Sequence, residues 1–173
     1  MEFYTFERSD QSDAIRYTFY TDNNLTYIAF FISALDFTDH FEGHDYFSEF
    51  GWVCGFGPVE DGVKIPGDRK ISQTISQIFI DFLSNKPKEV VLIYHCDDDK
   101  DQQLARSRKF NGWFLLFSEA MNLSIEITQL DIVTGETIDL NFIGYIYSNE
   151  ADKEKVLGEA KTFSQYLLAS LRK

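Results

Sequence analysis

At 173 residues with three prolines and a hydrophobic share of 44%, the chain has the size of one folded domain, residues 1–173. Its aromatic and aliphatic side chains suffice to offset the entropy of ordering it, which excludes disorder. A formal net charge of −12 argues against nucleic acid or an anionic membrane as partner, since both are bound through a cationic footprint, and it permits a cationic protein partner.

Residues 2–8, 14–22 and 25–34 are rich in Tyr, Phe, Thr and Ile, and Thr21-Asp22-Asn23-Asn24 has turn chemistry, so the last two segments are expected to form a hairpin. Residues 35–45 lose that pattern and are expected to form a loop or short helical turn. YFSEFGWVCGF, residues 46–56, predicts a fourth strand, followed by a loop punctuated by Gly and Pro. Asp68, after Pro66-Gly67, stands at the N-cap of a helix in which Ile71, Ile75, Ile78, Phe79 and Phe82 recur at helical spacing. Pro87 disfavours helical geometry in the residue before it, which ends that helix near Asn85.

The unbroken apolar run Val90–Tyr94 predicts a strand covered on both faces, in the middle of a sheet. After an acidic turn, a second helix places Phe110, Trp113, Phe114 and Phe117 on one stripe, with Gln103 and Arg106 upstream on the same stripe. LSIEITQLDIV and ETIDLNFIGYIY, joined by Thr134-Gly135, predict a half-exposed hairpin in which Ile125, Ile127 and Leu130 alternate with polar residues. From about Asn149 a last helix buries Val156, Ala160, Phe163, Leu167 and Leu171. The fold class expected is α+β: a single-domain mixed, largely antiparallel sheet of about seven strands with three main helices.

The opening MEFYTFERSD has no basic segment ahead of an apolar core, and the longest apolar run, LTYIAFFISAL, is well short of the about 20 residues that cross a bilayer. Cys54 and Cys96 sit in apolar surroundings without metal-ligand spacing. A cytoplasmic location with buried thiols is the expectation.

Asp97, Asp98 and Asp99 follow the end of the buried strand, where α/β sheets hold ligands and carboxylates. Clustered carboxylates suit a divalent cation, and acids ahead of a helix also cap it and complement its dipole. The spacing of Asp97, Asp99 and Asp101 imitates the opening of a calcium loop but fails at Gln102, where glycine is needed, and at Arg108, where a bidentate glutamate is needed. Neighbours in a strand point to opposite faces, so His95 and Cys96 are not placed to form a thiol–imidazole pair. His40 and His44 have metal-ligand spacing, which Gly43 weakens as a helix. Gly55-Phe56-Gly57-Pro58 lacks the donor and the Lys-Ser/Thr that a phosphate loop uses. Arg106 on an aromatic stripe, if buried, needs a carboxylate, with Asp68 and Asp97 as candidates, a carbonyl or an anionic ligand.

Asp68, Arg69, Ile71, Thr74 and Ile75 in one helix, Cys96-Asp97 at the end of an aliphatic strand, and Arg106, Arg108, Phe110, Trp113 and Phe114 in the next helix resemble a small uncharacterised bacterial family of unknown function, over roughly residues 15–117. The resemblance implies that the Asp, Cys, Arg and Trp positions belong together and carries over no catalytic residue.

No Lys or Arg occurs between Arg16 and Lys64 or between Lys109 and Lys153, and both intervals are rich in Asp and Glu. A negative field dotted with Tyr and Phe suits capture of a basic protein by steering and aromatic anchoring. The expected function is therefore a non-catalytic acidic interaction protein, an immunity or inhibitor protein for example, without cofactor, with Arg106, Trp113, Asp68 and Asp97 as candidate binding residues. The alternative is a metal-dependent hydrolase of a phosphate ester, with Asp68, Asp97 and Asp99 on the metal and Arg106 on the phosphate.

Overall fold

The computed structural model describes residues 2–12, 14–37, 40–60, 67–96 and 103–171, and of residues 37, 103–106, 134, 139 and 171 the backbone alone. Its strands are β1 (Phe6–Asp10), β2 (Ala14–Tyr20), β3 (Thr26–Ser33), β4 (Gly51–Pro58), β5 (Val91–Cys96), β6 (Leu123–Thr134) and β7 (Thr137–Ser148). Among the described residues they form one sheet in the order β1-β2-β3-β4-β5-β7-β6, antiparallel throughout except where β4 runs parallel to β5. The helices are α1 (Asp45–Phe50), α2 (Arg69–Ser84), α3 (Gln103–Ser118) and α4 (Lys153–Leu171), with a 3-10 turn at Ala34–Phe37. Three long helices on a mixed, mostly antiparallel sheet are the α+β architecture that the order of patterns predicts.

Strand alternation divides the core between the two faces. Tyr17, Phe19, Tyr27, Phe31, Cys54, Leu92 and Tyr94 pack under α2 and α3. Val91, Ile93, Leu130, Tyr145 and Tyr147 pack under α1 and α4. Because β5 is clothed on both faces, its residues Val91–Tyr94 are all buried, as an unbroken apolar run requires.

Four local expectations need correction. The first strand begins at Phe6, because Tyr4 is drawn out of line: its N–H donates to Thr74 Oγ1 (2.9 Å) and its hydroxyl to Asp68 Oδ2 (2.6 Å). Residues 46–50 are helix, and strand starts only at Gly51. The Glu159 carboxylate accepts the N–H groups of Tyr46 (2.8 Å) and Phe47 (2.7 Å), supplying partners to the orphan donors of α1 from a residue more than a hundred positions away. Ile125 and Ile127 share a face, whereas the period of two puts Leu130 on the other, beneath α4. The last helix starts at Lys153 rather than near Asn149, because the Asp152 carboxylate accepts the Lys155 N–H (3.2 Å) as its cap.

Candidate functional site

The parallel pair is short. Gly51–Val53 pair with Val91–Ile93, after which β4 follows β3 to Pro58 and β5 follows β7 to Cys96. Beyond that point no pairing joins the two strands, and their C-terminal ends open a wedge of the kind that hosts ligands in sheets with parallel strands. On the α2/α3 side aromatic rings fill it. Phe110 stacks on Tyr94 (3.9 Å between centroids) and on Phe56 (5.3 Å), bridging β5 to β4, and Trp113 lies 5.2 Å from Phe56. The Tyr94 ring also covers Gly144, where a Cβ would sit 2.1 Å from ring carbons.

Beside this plug, a groove of about 310 Å³ runs between the start of α2 and α3, lined by Gly67, Asp68, Arg69, Ser72, Lys109 and Trp113 among others. Asp68 caps α2: its Oδ1 accepts the Lys70 N–H (2.8 Å) while Oδ2 accepts the Tyr4 hydroxyl. Lys109 stands 5.0 Å from the Trp113 ring centre, and its burial pulls the ammonium below its ordinary pKa. Tyr27 lies near the same end of α2. Burial, then the charges of Asp68 and Glu60, push its hydroxyl pKa up to about 12, and that hydroxyl has no hydrogen-bond partner among the described residues. A lysine, an indole and a helix N-terminus form a setting for an anionic group, beside the engaged Asp68 carboxylate.

The chain belongs to a family of unknown function (DUF6169). That family matches residues 67–155, from the residue before Asp68 to the first turn of α4. The α2 and α3 motifs that carried the resemblance lie inside this span, while residues 15–66 lie outside it and the hairpin of β6 and β7 is included. No curated protein matches the chain.

Of the four candidate binding residues, Asp68 and Trp113 line this one groove. Asp97 and Asp99 lie outside the described residues, as does the Arg106 side chain, although its backbone is placed in α3 one turn ahead of Phe110. Among the described residues no three His, Cys, Asp or Glu side chains are grouped to hold a metal. His95 and Cys96 face opposite sides: His95 Nε2 is 3.1 Å from Asn141 Oδ1 on the α4 side, and Cys96 packs against the α2/α3 core. Burial raises the Cys54 thiol, and both cysteines are free of disulfide. His44 is buried edge-on against Phe163, with Nδ1 3.3 Å from Thr162 Oγ1. Gly55 and Gly57 lie within β4, where Gly55 makes room for the Phe30 ring.

Two features escaped sequence reasoning. Lys109 sits four residues before Trp113 on the aromatic helix, a spacing that could have flagged it. Tyr46 could not have been found: it is half-buried, its hydroxyl donates to the Glu89 carbonyl (3.1 Å), and its pKa rises through burial and then the charges of Glu89, Asp152, Glu159 and Glu49. Those acids come from α1, the loop before β5 and the start of α4. They converge on one aromatic side chain only in the fold.

Proposed function

We propose that the protein is a non-catalytic interaction protein whose acidic face, on the α1/α4 side, captures a basic protein partner as an immunity or inhibitor protein does. The observation that carries this reading is that Glu89, Asp152, Glu159 and Glu49, from three separate segments, all act on the Tyr46 hydroxyl, whose pKa burial raises first and their charges raise further. Here an aromatic anchor is carried next to Phe50 at 5.0 Å; Asp152 is paired with Lys155 (3.7 Å) and Glu159 is engaged by the α1 N–H groups, which leaves Glu49 and Glu89 to meet a cationic partner. The 3-10 turn, the connection after it and α1 add the exposed acids Asp36, Glu42 and Asp45, with no Lys or Arg in residues 34–50. The test is affinity capture from the native host with mass spectrometry, repeated with Glu49→Lys/Glu89→Lys. The expected partner is basic, is released as salt rises, and is lost with the charge reversal; a neutral or acidic partner insensitive to both overturns the reading.

A second reading is favoured by the groove at the start of α2: a small phosphate- or carboxylate-bearing ligand, held by Lys109 and the helix N-terminus and flanked by Trp113. Hydrolysis of a phosphate ester with Asp68 on a metal fits less well, because both Asp68 oxygens already accept hydrogen bonds. Inorganic phosphate and nucleotides are expected to raise the melting temperature of the wild type and not of Lys109→Gln; equal responses exclude this groove.

A further inference from the structure

The two edges of the sheet differ in how they are guarded. At one end β1 is five residues long and carries the Arg8–Asp10 ion pair, a short edge with mixed charge. At the other, β6 is twelve residues long and pairs with β7 from Leu123 to Thr134, and no described strand lies along its outer side. Long edges of this kind are normally blunted by charged side chains, Lys above all, by Pro or by a bulge. β6 has neither Lys nor Pro, and what stands on it are the exposed Glu126 and Asp131, with Glu136 in the turn beyond.

Beside that edge, on the α4 side, lies a groove of about 440 Å³ with Leu130, Leu157, Ala160 and Leu168 as its apolar lining and Glu126 and Lys161 on its polar part. We propose that the outer edge of β6 takes up an extended, Lys- or Arg-bearing polypeptide segment as an added strand, with alternate side chains entering the groove between β6 and α4. An added strand gains main-chain hydrogen bonds from the open edge, while its period of two sends every second side chain to the α4 side. There an apolar residue meets Leu130 and Leu168, and a basic one meets Glu126. Side chains on the other face meet Asp131 and the exposed Val133 and Ile138, paired across the hairpin.

Charge selects the occupant. A second copy would bring another β6, set Glu126 and Asp131 against acids of the same kind and repel itself, whereas a basic segment gains attraction at both positions. This proposal rests on the interaction-protein reading and names the mode and a surface separate from Tyr46.

The probe is a synthetic peptide of about eight residues alternating Lys with Val, against a control of the same charge with Pro replacing alternate Val, which cannot add as a strand. Both are titrated into isotope-labelled protein, with amide exchange followed residue by residue. The expected result is slowed exchange along β6, shifts in α4 facing the groove, no binding of the control, and an about tenfold weaker affinity for Glu126→Lys/Asp131→Lys with unchanged thermal melting. Equal binding of both peptides overturns strand addition and leaves the acidic-capture reading standing. Failure of the Lys-Val peptide to bind, or a response confined to the Tyr46 side, also overturns it.

Discussion

Against one face of the sheet, α2 and α3 rest on a continuous run of rings, in which Tyr17 meets Phe31, Phe31 stacks on Phe82 at 3.9 Å and touches Phe79, and Phe79 leads through Phe110 to Tyr94. That face has directional bonds at its rim, where the Tyr4 and Tyr17 hydroxyls donate to Asp68 (2.6 Å) at the cap of α2 and to Asp81 (2.7 Å) within it. On the other face, α4 and α1 combine fewer rings with directional bonds inside the core. The Tyr145 hydroxyl binds Ser164 Oγ (2.7 Å) and the Ala160 carbonyl (3.2 Å), and Glu159 ties α1 to α4. Apolar packing is strong but indifferent to small sliding, whereas hydrogen bonds fix register while leaving charged groups at the margin. The α2/α3 side therefore supplies bulk stability. The α1/α4 side supplies a defined polar surface, where the acids about Tyr46 and the β6 edge lie.

Removing one ring from the continuous run should have the largest effect. Phe31 is fully buried and touches Tyr17, Phe79 and Phe82, so Phe31→Ala is expected to cost about 3–5 kcal/mol in urea unfolding. A loss below about 1 kcal/mol would show that the rings do not act as a shared support. On the opposite side, Glu159→Ala leaves the Tyr46 and Phe47 N–H groups without their acceptor and is expected to cost about 1–2 kcal/mol. Amide exchange should quicken in α1 with α2 and α3 unchanged, and faster exchange spread evenly through both layers would erase the distinction drawn between them.

The elements that the sequence makes legible are those whose stabilising contacts follow its local period. α2 is readable from Asp68 and the spacing of Ile71, Ile75, Ile78 and Phe82, and β5 from its unbroken apolar run. α1 reads as strand in the sequence because Tyr46, Phe47 and Phe50 are strand-forming residues and the acceptor that holds their helix is Glu159, far along the chain. In the groove, Asp68 was legible as a cap and Trp113 as part of a stripe, but their meeting depends on how α2 crosses α3. The intervals free of Lys and Arg are visible in the sequence; that Glu89 and Asp152 act on Tyr46 is not, since no local pattern links those three segments.

The smallest effect gives the finest discrimination, because it compares two buried tyrosines that differ in one respect. Tyr145 and Tyr94 are both buried, and burial holds both hydroxyls well above their ordinary pKa. Tyr145 has two partners, whereas the Tyr94 hydroxyl has none among the described residues. Removing a bonded hydroxyl strands its partner, so Tyr145→Phe is expected to destabilise by about 1 kcal/mol. Removing an unpartnered one relieves a desolvation cost, so Tyr94→Phe is expected to be neutral or stabilising by up to about 1 kcal/mol. Urea unfolding of the two variants side by side gives the sign of each. A destabilised Tyr94→Phe would mean that this hydroxyl has a partner in solution, and the aromatic layer beneath α3 would then share the directional bonding seen at Tyr145 under α4.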